Sequence, residues 1–161
     1  MPNWCNNQIT ITGPAAEITA LWDRAVAADG LLSAMAPADD PNDYSWKKET
    51  WGTKWEVLLE GLNIEAAGDG TATISGYFDS AWKPPVGAYE GYSAANPQVK
   101  IEAYYLETGN KFVGCWEDGE DDYHEYGEFT SENIRVMVPP YLVDYFNLGA
   151  KVDETETEWA I

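Results

Sequence analysis

The sequence predicts an α+β fold: one antiparallel sheet laid down as strand, helix, strand, strand, helix, strand, with a C-terminal strand and helix extension. Three observations carry that expectation. Residues 8–13 (Gln-Ile-Thr-Ile-Thr-Gly) alternate polar and apolar, as a half-buried strand does. Ile18, Leu21, Trp22, Ala25 and Val26 repeat at the spacing of one helix face. A Gly68-Asp69-Gly70 turn separates two strand-like runs, which makes a hairpin.

Pro14 opens the first helix at a position where its missing N–H costs nothing, and Gly30 is a natural stop after residues 15–29. Residues 31–50, with Pro37, Asp39, Asp40, Pro41, Asn42 and Asp43 at their centre, read as a long irregular connection. Strand-like residues 56–66 and 71–78 follow, then a second helix over 86–95, closed by Asn96-Pro97. Val99, Ile101, Ala103 and Tyr105 alternate through residues 99–107, and Thr108-Gly109-Asn110 turns the chain into a strand over 111–116. A further short strand is expected around 123–129, and a helix over 141–148 behind Pro139-Pro140. This is the order of a ferredoxin-like split β-α-β unit. Residues 1–152 form one domain in this reading, and 153–161 an acidic tail.

The chain has 161 residues, 9 Lys plus Arg against 28 Asp plus Glu, and a net charge of −19. Direct binding to a phosphate backbone is excluded, because it needs clustered cations to release counterions. Docking on an anionic membrane is disfavoured for the same reason. Eight Trp, ten Tyr and four Phe argue against reading the acidity as disorder. The first residues have neither a basic nor an apolar leader pattern, so a cytoplasmic location is expected. Cys5 and Cys115 are too few for a disulfide framework and read as reduced thiols.

Three short motifs carry a family resemblance: Met1-Pro2-Asn3-Trp4-Cys5-Asn6-Asn7, Trp51-Gly52-Thr53-Lys54-Trp55, and Phe78-Asp79-Ser80-Ala81-Trp82-Lys83-Pro84-Pro85. With them the chain resembles the phage, prophage and plasmid proteins that carry a YubB-type (Api-like) ferredoxin-like domain of unknown function. The likeness continues more loosely to about Trp116 and does not extend into the acidic segment beyond. It implies a fold and a setting near anti-restriction and anti-defence genes on mobile elements. It brings no catalytic residue.

No catalytic residue is assigned from the sequence either, and no cofactor or metal is expected. The sole histidine, His124, stands among Asp121, Asp122, Tyr123 and Glu125, as on a solvated acidic face. A calcium loop starting at Asp118 would need Gly where Tyr123 stands. Two cysteines cannot supply the four thiolates of an iron–sulfur cluster.

Two features remain. Between Trp116 and Glu132 the chain has eight acids and no Lys or Arg: Glu117, Asp118, Glu120, Asp121, Asp122, Glu125, Glu128 and Glu132. Such a run is either a solvated face or an anionic contact surface for a basic partner, steered in by its charge. The second feature is the interleaving of Trp46, Trp51, Trp55 and Trp82 with Lys47, Lys48, Lys54 and Lys83. Those indoles either fill the core beneath the long connection or line a pocket that stacks a base, with lysines on its phosphates. Trp46, Trp51, Lys54, Trp55, Trp82 and Lys83 are the candidate pocket residues.

The first functional expectation is a non-enzymatic, acidic, phage-like accessory protein that inhibits a host nucleic-acid-binding defence machine, such as a CRISPR effector or a restriction enzyme, by binding it as a nucleic-acid mimic. The alternative is a nucleotide-binding or small-molecule-sequestering protein that uses the Trp/Lys pocket. A virion or replication accessory without chemistry of its own is a third.

Overall fold

The computed structural model describes residues 2–152; the expected acidic tail, 153–161, lies outside the described residues. Along the chain come β1 (Trp4–Pro14), α1 (Ala15–Ala28), α2 (Leu31–Met35), α3 (Tyr44–Thr50), β2 (Leu62–Ala66), β3 (Thr71–Ala81), α4 (Val86–Ala95), β4 (Lys100–Glu107), β5 (Phe112–Glu117), β6 (Glu120–Glu125), α5 (Ile134–Met137) and α6 (Pro140–Tyr145). The fold is mixed α+β, built on an open antiparallel sheet of six strands in the order β2-β3-β1-β4-β5-β6.

β1 lies inside the sheet because every second residue suits a core. Cys5, Asn7, Ile9, Ile11 and Gly13 are buried on one face, with Phe78, Ile74, Ala103 and Ile101 beside them in register. Onto that face α1 packs Ile18, Leu21 and Ala25, α2 packs Leu31 and Leu32, and α4 packs Ala88, Tyr89 and Tyr92. The α1 stripe is narrower than its spacing predicts: Trp22 is half-buried and Val26 is 58% exposed.

The opposite face is divided. Over β4 and β5, Leu106, Val113 and Cys115 meet Ile134, Leu142, Val143, Phe146 and Leu148, so the C-terminal segment forms a second apolar layer. Tyr104 of β4 stacks on Tyr145 at 3.8 Å and 8°, which docks α6. Over β1 and β3 no helix among the described residues covers the sheet, and that face carries Asn6, Gln8, Thr10, Thr12, Thr73 and Ser75. Thr12 and Thr73 share a hydrogen bond across that face at 3.2 Å.

Several segments differ from expectation. Residues 31–50 are irregular only at their centre, 36–43, because α2 and α3 occupy the two ends. The carboxylate of Glu56 accepts the Leu32 and Ser33 N–H groups at 2.8 and 2.7 Å, satisfying donors that the first turn of α2 leaves free. Asp43 caps α3 by accepting from the Trp46 N–H at 3.0 Å. The strand expected over 56–66 forms only from Leu62. The last strand begins earlier than 123, because Asp118 and Gly119 take φ of 47° and 100° and make a two-residue hairpin turn. Within 141–148 the helix runs to Tyr145, a turn interrupts it at 146–147, and helical structure resumes at Leu148; a one-turn helix, α5, precedes them.

Candidate functional site

The three motifs meet at one end of the sheet, held by buried polar groups. Asn7 is fully buried and its side-chain amide donates to the Cys5 carbonyl at 3.0 Å and to Ser80 Oγ at 2.9 Å. Ser80 Oγ in turn donates to the Lys83 carbonyl at 2.6 Å. Thr53 Oγ1 donates to the Ala81 carbonyl at 2.7 Å, and the Trp82 N–H donates to the Asn3 carbonyl at 2.8 Å. The Lys83 N–H reaches back to the Ala81 carbonyl at 2.8 Å, with Trp82 between them at φ 70°. That is a γ-turn of the rarer hand, an unfavourable backbone for an indole-bearing residue. Four side-chain and main-chain tethers fix it.

The turn borders a concavity of about 520 Å³ lined by Lys48, Gly52, Thr53, Lys54, Trp82 and Lys83. A smaller one of about 290 Å³ adjoins it through Gly52 and Lys83 and reaches Tyr105 and Phe112. Three of the nine Lys and Arg therefore converge on one site in a chain of net charge −19. Among the described residues the pairs of opposite charge are Arg135–Asp144 at 2.5 Å and His124–Asp122 at 2.6 Å, and neither includes these lysines. Lys54 Nζ sits 5.2 Å from the Trp55 ring centroid and 6.0 Å from that of Tyr44, so its charge rests on indole and phenol faces.

The candidate indoles separate into core and surface. Trp51 is 1% exposed, donates through Nε1 to the Ala36 carbonyl at 2.8 Å, and belongs to the core. Trp46 packs edge-on against it at 5.9 Å. Trp55 pairs with Trp4 at 6.0 Å and lines a different cleft, whereas Trp82, 40% exposed, stands at the lysine site. Lys47 is buried, with Nζ donating to the Pro41 carbonyl at 2.5 Å beneath Tyr44 and Trp51.

The acidic segment is a β-hairpin, and its alternation divides the carboxylates. Asp121 and Glu125 fall on the α4 side of the sheet, Glu120 and Asp122 on the α6 side. Many are occupied within the fold. Asp118 accepts the Ile101 N–H at 3.1 Å, Asp121 accepts the Tyr105 hydroxyl at 2.6 Å, and Glu125 accepts the Tyr123 hydroxyl at 3.1 Å. Asp122 accepts from Tyr141 of α6 and contacts His124; the Tyr141 hydrogen bond, more than the histidine, holds its carboxyl below the usual range. Glu117, Asp118 and Glu120 stand exposed at the hairpin tip, and Glu128 lies exposed beyond it.

Cys5 and Cys115 lie on opposite faces of the sheet with β4 between them. Burial, then the charges of Glu102 and Glu117, pushes the Cys115 thiol up to about 12, and burial raises Cys5 as well. Both are weak nucleophiles at neutral pH.

No family model matches the chain, and no curated protein does. A crystal structure of the protein Api92 from Yersinia pseudotuberculosis, of the family DUF1281, aligns with 21% identity at a TM-score of 0.35. The alignment covers 53% of this chain and 30% of that one. Likeness at that level carries no inference about this site. Among the described residues no helix is long and apolar enough to cross a membrane.

Sequence reasoning found Lys54, Trp82 and Lys83 but not the tethers beneath them. The signal was Asn7, a polar residue standing in register with Cys5, Ile9 and Ile11 on the inward face of an alternating strand. A buried amide at such a position is held by partners, and here they are Cys5 of its own motif and Phe78 and Ser80 of the third.

Proposed function

We propose that the chain is a non-enzymatic binding protein whose lysine site takes the phosphates of a nucleotide-class ligand. The observation that carries this is the convergence of Lys48, Lys54 and Lys83, unpaired with any described carboxylate, around the fixed Trp82 turn. The ammonium groups supply the charge complement, and the exposed indole supplies a stacking face for a base. We read the supporting scaffold, with sheet order β2-β3-β1-β4 and crossovers α1 and α4, as a ferredoxin-like unit. Calorimetric titration with mono-, di- and cyclic nucleotides tests the assignment. Saturable binding that falls at least about tenfold in Lys54→Ala and Lys83→Ala supports it. Absence of saturation with the whole panel at millimolar concentration overturns it.

A second reading, an anti-defence inhibitor of phage-like origin acting on a CRISPR effector or restriction enzyme, is favoured by the exposed Glu117, Asp118 and Glu120 at the hairpin tip. Its test is association with a basic nucleic-acid-binding protein that weakens as salt rises and on Lys substitution at the tip.

A further inference from the structure

A further concavity, of about 420 Å³, has the opposite chemistry: Trp4, Trp55 and Tyr77 with Leu58, Glu60 and Asp79, and no lysine or arginine in its lining. Trp4 is the first outward residue of β1, and Tyr77 and Asp79 are alternate outward residues of β3, so all three rise from the part of the sheet that no helix among the described residues covers. Trp4 is 50% exposed, Tyr77 54% and Leu58 71%. Large apolar side chains left open together mark a binding surface more often than single ones do. The Trp4 and Trp55 rings meet at 6.0 Å and 46°, which turns their faces along different directions.

The carboxylates on the wall are not equivalent. Glu56 also lines the cleft, but its oxygens are engaged by Leu32, Ser33 and Val57. Asp79 takes one long contact from the Asn6 amide at 3.5 Å, and Glu60 is exposed. Set against these two carboxylates is Lys54, whose Nζ lies on a face of Trp55. Its ammonium already stands 5.2 Å from the ring centroid, and the two carboxylates outweigh its charge.

We propose that this cleft binds an organic cation with a methylated ammonium head group. Such a cation is weakly hydrated, so it gives up little on leaving water, and aromatic faces attract it through their quadrupoles. A compact, strongly hydrated ammonium or an anion would gain less here. The field of a chain with net charge −19 raises the local concentration of any cation. The ring walls then discriminate among cations. The same head group occurs on free choline-type molecules and on trimethylated lysine side chains, and the site would receive either. The cleft touches the lysine site only through Lys54 on the face of Trp55, whereas Trp4 and Tyr77 lie outside that site.

The full chain is titrated with choline, with 3,3-dimethylbutan-1-ol as its uncharged isostere, and with the amide of Nε-trimethyllysine, read by tryptophan fluorescence. The expected result is saturable binding of choline, at least about tenfold weaker binding of the isostere, and a loss of about tenfold in Trp4→Leu or Tyr77→Leu. Both residues are half exposed, so if one variant misfolds the other reads the same contact. Tighter binding of the trimethyllysine amide than of choline identifies a side chain as the source, and the reverse identifies a small molecule. Equal binding of choline and its isostere overturns the assignment. So does choline binding that both aromatic variants leave unchanged, for the attraction is then only to net charge.

Discussion

The hydroxyl of Tyr105 on β4 donates to Asp121 on β6 at 2.6 Å, across the whole width of β5. The bond is possible because Gly114 occupies the β5 position between them: a Cβ there would overlap the Tyr105 hydroxyl and the Asp122 carbonyl. One residue of the acidic run thus fastens the edge strand to an interior one.

Gly114→Ala should therefore destabilise by about 1–3 kcal/mol, as overpacking of a filled site does. Urea unfolding gives the comparison with the parent. An unchanged midpoint would mean that the Tyr105 ring moves aside without cost.

Trp51 and Trp82 should respond in opposite ways. Trp51→Ala removes a fully buried indole and should cost about 3–5 kcal/mol. Trp82→Gly relieves a left-handed backbone and should leave the melting temperature equal or higher, while nucleotide binding is lost. A large destabilisation by Trp82→Gly would show that this indole works as packing.

Glu56 gathers four donors: the N–H groups of Leu32, Ser33 and Val57 and the Ser33 hydroxyl. Glu56→Ala leaves them without an acceptor and should cost about 1.5–3 kcal/mol. Amide exchange at Leu32 and Ser33 should speed up in the same variant. Unchanged exchange there would detach α2 from this carboxylate.

Alkaline pH should unfold the protein early. Burial is the leading cause that raises Tyr89, Tyr92, Tyr104, Tyr105, Tyr123, Tyr126, Tyr141 and Tyr145 above the ordinary tyrosine value of 10.0, and Tyr126 reaches about 12. For groups with a raised folded-state value, the unfolded chain releases protons first. Their stabilising contribution is full below pH 10.0 and is lost as pH rises through the folded values. Cys115 adds a loss that runs from 9.0 to about 12. Melting temperature should be flat from pH 7 to 8 on this account and fall steeply above pH 9–10, which thermal scans in closely spaced buffers will read. A flat profile to pH 12 would place these phenols in water.

Much of this architecture is legible in the order of residues alone. Alternation through Ile9 and Ile11 and helical spacing through Ile18, Leu21 and Ala25 are periodic signals set by the two faces of a sheet and helix layer. The shorter helices are not legible in that way. α2 has five residues and depends on Glu56, which lies well beyond it in sequence, so no local pattern reports it. The Asp118-Gly119 pair is a strong local hairpin signal, but it sits inside so dense a run of acids that composition masked it. At the lysine site, the exposed groups could be found because Lys and Trp cluster in sequence. The Asn7–Ser80 contact that supports them follows from strand register, which sequence spacing does not state.

β1 is hydrogen-bonded along its length to β3 on one side and to β4 on the other. During synthesis on the ribosome, the strand at the heart of the sheet is therefore made first and acquires its second neighbour only when Glu107 has emerged. Until then one hydrogen-bonding edge of β1 waits for a partner that does not yet exist. Pairing between such distant segments slows folding, and unpaired strands are the ones that misassociate. The covering of β1 is thus an event of late translation, and a nascent chain arrested before β4 would hold its most buried strand half-open.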